Sequence, residues 1–383
     1  MRAHWLAPAV AACLVATPSA AATSAPPAQA LARALEGHAR IARAAYAEAV
    51  AGAGELRRVV REFLASPSDP TLARARSAWV ANSDAYCRTE VFRFSGGPID
   101  DVHPVTGAQG PEGRINAWPI DEAYLDYVVG SPRAGLIADT RVPIAESTLV
   151  LRNAADDETQ VTLGIHAIEF LLWGQDRSRE GPGNRPYTDF LPGDPVRERR
   201  RACLSLMVEL LVRDLTRVAE EWVPGPGRYA TTFLALPPED ALSRAITGPA
   251  TLAAFELASE RIGIPLSTGM QEDELSCFSD NTHRDLTANV EGLERVLEGD
   301  GRVPGLLTAF DAAHAGEIRE RLERVRRLVY TLPAPFDAML GLAEEDPRRR
   351  TMQALMGELF GLAGAIQRAG EAAGVRVVIG GGG

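Results

Sequence analysis

The sequence predicts an all-α protein made of two helical bundles, and three observations predict it. Apolar residues recur at helical spacing through nearly all of residues 28–373, in long segments separated by Pro/Gly breaks. Strand signals are confined to one short stretch, Val375 to Ile379. The run Pro224-Gly225-Pro226-Gly227 is the strongest break, with four long helical segments before it and about four after it. That count resembles four-helix bundles and suits a duplication, although no residue-level repeat is visible. The boundaries that follow are an export signal over 1–22, an N-terminal bundle over 28–223, a C-terminal bundle over 228–375 and a flexible tail over 376–383.

The elements follow in order. Residues 28–64 carry a helical apolar pattern that ends at Ser66-Pro67. A second helix is predicted over 71–92, with Asp69-Pro70 as its start signal and Gly96-Gly97-Pro98 as its stop. A loop rich in Gly and Pro follows, and Trp118-Pro119 opens a short helix reaching Tyr127. Residues 159–173 read as a helix, and residues 181–195 as a long Pro/Gly loop. Residues 197–222 are strongly amphipathic, with Leu204, Val208, Leu211 and Leu215 on one stripe. Beyond the break, helices are predicted over 239–262, 271–297, 309–330 and 348–373.

Composition narrows the chemistry. The chain has 383 residues, 46% hydrophobic and 24% charged, which is globular, and a net charge of −11 excludes a nucleic-acid footprint. All 40 basic residues are arginine, so Schiff-base, P-loop and kinase lysines are excluded. Neither a Gly-x-Ser-x-Gly elbow nor a Gly-x-Gly-x-x-Gly turn is present. Arg2, the apolar run from Trp5 to Val15 and the small residues Ser19-Ala20-Ala21-Ala22 read as an export signal, too short to span a membrane. Val10-Ala11-Ala12-Cys13 resembles a lipoprotein cleavage box, but it sits very early in the run. Of the other cysteines, Cys87, Cys203 and Cys277, none forms a Cys-x-x-Cys pair; they read as small buried hydrophobes.

The residues that can carry chemistry begin with Gly164-Ile165-His166-Ala167-Ile168-Glu169. His166 and Glu169 share a helix face, and the apolar residues around them turn that face inward. Burying both costs several kcal/mol unless a metal or a hydrogen-bond network pairs with them. Gly164 in a helix suggests close approach of a neighbour. There is no His-Glu-x-x-His, so a metal would need ligands from other segments. Glu90, among Cys87, Val91, Phe92 and Phe94, reads as a buried acid, and Asp121, Glu122 and Asp126 cluster after Trp118-Pro119. For Asp121 and Glu122, ordinary first-turn helix acids are an equal reading. Carboxylates with one imidazole suit iron, zinc or manganese. A second constellation runs from Gln271 to Asp285; its Ser, Asp, Asn and Thr are poor helix residues, which marks a functional or strained site around Asp280 and His283.

Three ordered segments together resemble the imelysin family: residues 164–174 with a Gly-x-His-x-x-Glu signature, residues 115–127, and Ser276-Cys277-Phe278-Ser279-Asp280-Asn281-Thr282-His283. Leu275 departs from the family's commonest spelling, which has histidine there. The resemblance covers about residues 28–373 and implies two helical-bundle domains with a functional cleft between them. It implies an exported protein of the periplasm or cell envelope that binds iron, or else zinc, in metal acquisition, with a membrane iron-uptake component as its partner. The site it implies is His166 and Glu169, with Glu90 and Asp121 as further carboxylates, and Trp118, Trp173, Asp280 and His283 lining the cleft. Two alternatives stand beside it: a metallopeptidase, in which metal activates water, and a metal-free ligand-binding module, in which His166–Glu169 is a structural pair.

Overall fold

The computed structural model describes residues 28–100, 107 and 109–380, and among these it is helical without a β-sheet. The predicted export signal and Cys13 lie outside the described residues. Eight helices of ten or more residues carry the fold: α1 Ala28–Ala65, α2 Asp69–Cys87, α3 Gly164–Trp173, α4 Pro195–Glu221, α5 Pro238–Thr251, α6 Thr282–Glu298, α7 Ala312–Val329 and α8 Pro347–Ala372. Val375 to Ile379 forms no strand; Val375 and Val377 are buried, so that apolar run packs against helices instead.

Local chemistry sets the helix ends. Ser68 caps α2 by accepting from the Thr71 N–H, while Thr71 Oγ1 accepts from the Ser68 N–H, and Asp69-Pro70 fill the first helical positions. The cap is thus Ser68, one residue before the predicted Asp69. Asp194, Asp311 and Asp346 cap α4, α7 and α8 in the same way. α5 passes at Leu252 into a π-helical stretch, Leu252–Gly263, where Ser259 Oγ donates to the Ala254 carbonyl five residues back. This stretch carries Arg261, a buried arginine that matters below.

The largest departure from expectation is residues 271–281. The sequence predicts one helix over 271–297, but only a 3₁₀ turn, Gln271–Asp273, and then a turn-rich loop precede α6 at Thr282. Asp280 adopts φ +57°, a left-handed conformation that no continuous helix permits. Asp280 and His283 therefore do not share a helix face. Glu90 likewise lies past the end of α2, in a 3₁₀ turn Glu90–Phe92. Residues 159–163 are not helical, and the predicted helix after Trp118 shrinks to Glu122–Leu125.

Packing brings the two sequence halves together. α1 packs against α2 and α4, and also against α5; α2 packs against α3 and α6; α7 packs against α8. The buried apolar residues form one continuous cluster from Ala34 to Val377. The Glu90 turn is wedged against α5 and α6, and Gly248 of α5 makes room for it: a Cβ there would lie 2.4 Å from the Val91 carbonyl oxygen. Cys87, Cys203 and Cys277 are unpaired and buried, as expected of small hydrophobes.

Candidate functional site

α3 is buried along its whole length, so its polar residues must be satisfied by protein. It begins at Gly164 with φ +94°, where a Cβ would lie 2.6 Å from the Ile115 carbonyl oxygen. Gly164 thus stands at the helix start, and it admits the close neighbour that its presence suggested. Trp79 of α2 reinforces this end by donating Nε1–H to the Ile165 carbonyl at 2.8 Å. The contact seats residues 115 and 116 directly against the first turn of α3.

His166 and Glu169 meet as the i, i+3 spacing predicts. Nδ1 of His166 is 3.0 Å from Oε2 of Glu169, and both residues are at most 2% exposed. Nε2 of His166 faces Oδ1 of Asn116 at 3.2 Å. The other Glu169 oxygen, Oε1, accepts from the Ser279 N–H at 2.9 Å and from its hydroxyl at 2.7 Å.

The chain of bonds continues to Glu90. Asn116 Nδ2 donates to Glu90 Oε1 at 3.1 Å. Arg261 donates to both Glu90 oxygens, at 2.7 and 2.6 Å, and Asn289 Nδ2 donates at 2.7 Å. Burial, the largest single influence, works to raise the Glu90 carboxyl, but the charge and hydrogen bonds of Arg261, the charge of Arg93 and the Asn289 hydrogen bond together outweigh it and hold Glu90 below its ordinary value. Glu90 is therefore an ionised acceptor. This fixes the Asn116 amide with nitrogen toward Glu90 and oxygen toward His166, so Nε2 carries a hydrogen and donates.

That accounting decides how each predicted site residue fits a metal. A metal-ligating histidine characteristically donates its second ring N–H to a carbonyl or carboxylate, as Nε2–H does here to Asn116. His166 Nδ1 and Glu169 Oε2 face each other at 3.0 Å, and these two atoms would hold a cation as one imidazole nitrogen and one carboxylate oxygen. Glu90 does not fit as a ligand, because Arg261 cancels its charge and occupies both its oxygens; it orients His166 through Asn116. Asp121 is exposed at the start of Glu122–Leu125 and does not reach this network.

The remaining acids and aromatics have other partners. Asp126 is buried and ion-paired with Arg185 at 2.7 Å and with Arg200 at 2.7 and 2.9 Å. Glu122 accepts from Gln175, and burial pushes its carboxyl up to about 6. Trp173 is buried edge-on to Trp79, 5.3 Å between ring centroids. Half-buried Trp118 donates Nε1–H to the Glu274 carbonyl. Half-buried His283 sits in the first turn of α6, and burial lowers its imidazole below the ordinary value. Asp280, 8% exposed, follows Ser279 directly. Sequence reasoning missed Asn116, Arg261 and Asn289; an arginine in the apolar pattern of 252–263 was the one available signal.

Comparison with known proteins agrees with the resemblance. The family model for imelysin matches residues 42–366, and the chain belongs to the imelysin family. It is 26% identical over 315 residues to iron-regulated protein A of Synechococcus elongatus, covering 77% of this chain and 74% of that one. Among solved structures, an iron-regulated protein A precursor from Parabacteroides distasonis matches with a TM-score of 0.69 at 16% identity, over 91% of this chain and 96% of that one. An imelysin-like protein from Psychrobacter arcticum matches with a TM-score of 0.65 at 17% identity, over 94% and 99%. These two likenesses show the all-helical fold. Among the described residues no helix is long and apolar enough to cross a membrane.

Proposed function

We propose that this imelysin-family chain binds an iron or zinc cation through His166 Nδ1 and Glu169 Oε2 and serves in metal acquisition outside the cytoplasm. The observation that carries the reading is the His166 environment. Its Nε2–H is anchored on Asn116, its Nδ1 lies 3.0 Å from a carboxylate, and both are buried on a helix pinned at Gly164. Such an imidazole meets a metal with its second ring nitrogen already satisfied. Ser279 supports Glu169 from the other side with two donors, so the carboxylate is held in place whether or not a cation is present. Glu90, Arg261 and Asn289 keep Asn116 oriented. Iron is favoured because the Synechococcus elongatus relative is named an iron-regulated protein. The export-like N-terminus supports the periplasm or cell envelope as location, with a membrane iron-uptake component as partner.

A cation on an imidazole and a carboxylate competes with protons, so its affinity falls as pH drops. The test is metal content and affinity of the full chain after challenge with iron and zinc, in wild type, His166→Ala and Glu169→Gln. Stoichiometric metal in the wild type, with affinity at least about tenfold lower in His166→Ala, supports the reading. Equal metal in all three, or none in any, refutes it.

A second reading has its own observation. The His166–Glu169–Asn116–Glu90–Arg261 network is complete in hydrogen bonds without a cation, as a purely structural pair would be. Absence of metal in wild type together with a large stability loss in Glu169→Gln would select it.

A further inference from the structure

A separate group of carboxylates stands across the loop from this network. Oxygens of Asp176, Asp280 and Asp337 all lie within 4.8 Å of one another. They come from three distant segments: the stretch after α3, the loop before α6, and a 3₁₀ turn, Asp337–Met339, between α7 and α8. Glu274 stands near enough to feel their charges. Burial raises its carboxyl well above the ordinary value, and the charges of Asp337, Asp280 and Asp176 each raise it further.

These acids lack the partners that buried carboxylates require. Asp337 and Glu274 are fully buried, and none of their four carboxylate oxygens accepts a hydrogen bond of good geometry; the Thr282 hydroxyl beside Glu274 and the Ala338 N–H beside Asp337 are the donors that act on them. Asp280 Oδ1 also accepts no such bond. Among the described residues no arginine makes an ion pair with any of the four. Arg179 is the nearest positive charge that acts on Asp337, and its guanidinium is committed to the Leu340 carbonyl at 3.2 Å and the Gly269 carbonyl at 3.0 Å. Asp176 accepts well-formed hydrogen bonds, from the Ser178 N–H and the Gln271 side chain. Each uncompensated buried carboxylate costs several kcal/mol, so the group must hold protons or a cation.

We propose that Asp176, Asp280 and Asp337, with Glu274 beside them, form an oxygen-only site for a hard divalent cation of the calcium or manganese type, distinct from His166–Glu169. Two oxygens bound to one ion at about 2.4 Å lie no more than about 4.8 Å apart, and the oxygens of this cluster all fall within that limit. No histidine or thiol is in the set, which selects hard, oxygen-binding ions over zinc or copper. Half-buried Asp176 leaves one side through which an ion and its waters can enter.

The site is tested by titrating the chelator-treated full chain with Mn²⁺, following free Mn²⁺ by electron paramagnetic resonance, with Ca²⁺ as competitor. Wild type, Asp337→Asn, Asp280→Asn and His166→Ala are compared. The expected result is one Mn²⁺ that Ca²⁺ displaces, with affinity at least about tenfold lower in both asparagine variants and with that Ca²⁺-displaceable Mn²⁺ still bound by His166→Ala. Each asparagine removes carboxylate repulsion, and Asn tolerates the left-handed backbone at 280, so the metal-free variants should melt no lower than wild type. Lost binding then cannot be ascribed to unfolding. Failure of wild type to bind, or full binding in both asparagine variants, overturns the inference. Binding lost in His166→Ala but kept in Asp337→Asn also overturns it, and leaves the His166–Glu169 reading standing.

Discussion

Glu90 offers the sharpest test of the network, because its burial admits two incompatible roles: metal ligand or counter-ion to Arg261. The perturbation is Arg261→Met, alone and with Glu90→Gln. Both residues are fully buried to within 1%, and the pair is joined at 2.6 and 2.7 Å. Removing one partner of such a pair costs about 3–5 kcal/mol, since the remaining charge is stranded. Asn289 and Asn116 still donate to Glu90, which places Arg261→Met toward the lower end of that range. Glu90→Gln in the Arg261→Met background removes the stranded charge, so the double variant should recover about 1–3 kcal/mol relative to additivity. Urea unfolding of the four proteins measures this coupling. Additivity within about 0.5 kcal/mol would refute the counter-ion role.

Two further predictions concern backbone and pH. Gly164→Ala combines a left-handed φ with a Cβ 2.6 Å from the Ile115 carbonyl; it should destabilise by about 2–4 kcal/mol in urea unfolding, and a change under about 1 kcal/mol would show that α3 is not seated on residue 115. Burial, with the charges of Asp337 and Asp176, pushes the Asp280 carboxyl up to about 8, so the folded state holds its proton longer than the unfolded chain does. Stability from this group is full below about pH 4 and is lost as pH rises toward about 8, so the metal-free protein should become easier to unfold between about pH 5 and 8. Glu90, held low, acts only at more acidic pH, where stability falls as it protonates. Added Ca²⁺ or Mn²⁺ should flatten the upper slope, and a flat profile without metal would contradict the raised Asp280.

The sequence displays some of this and conceals the rest for identifiable reasons. The long helices are legible because each buries one stripe, and periodicity records that directly, as in Leu204, Val208, Leu211 and Leu215 of α4. His166 and Glu169 are legible because three residues on a helix is a contact. Residues 271–281 mislead because the apolar spacing of Leu275 and Phe278 mimics a helix, while the conformation is decided by Ser279 binding Glu169, a contact 110 residues away. Asn116 and Asn289 give no local pattern, and Arg261 gives only that of an arginine in an apolar stretch, since their partners are chosen by docking. Asp121 shows the limit of composition: an acid at a helix start reads the same whether it faces a site or, as here, solvent. Asp337 lies in a short Pro-Phe-Asp turn that nothing in the sequence connects to Asp176.

Ser279 and Asp280 tie the two candidate centres together physically. The N–H and hydroxyl of Ser279 both end on Glu169 Oε1, and the next residue, held left-handed, contributes its carboxylate to the acidic group. Trp118 holds the same loop at the Glu274 carbonyl, two residues from Asn116, the partner of His166. The loop is thus gripped at both ends by the surroundings of His166. Any change in charge at Glu169, by proton or cation, alters the strength of two hydrogen bonds that position Asp280. Hydrogen bonds to a charged group contribute about 1.5–3 kcal/mol each, and only their difference between the two states is transmitted. If both centres hold cations, occupancy of one should shift the affinity of the other, and by reciprocity the reverse. Ser279→Ala removes one of the two bonds without touching either ligand set. It should therefore weaken the coupling while leaving each centre, measured alone, close to its wild-type affinity.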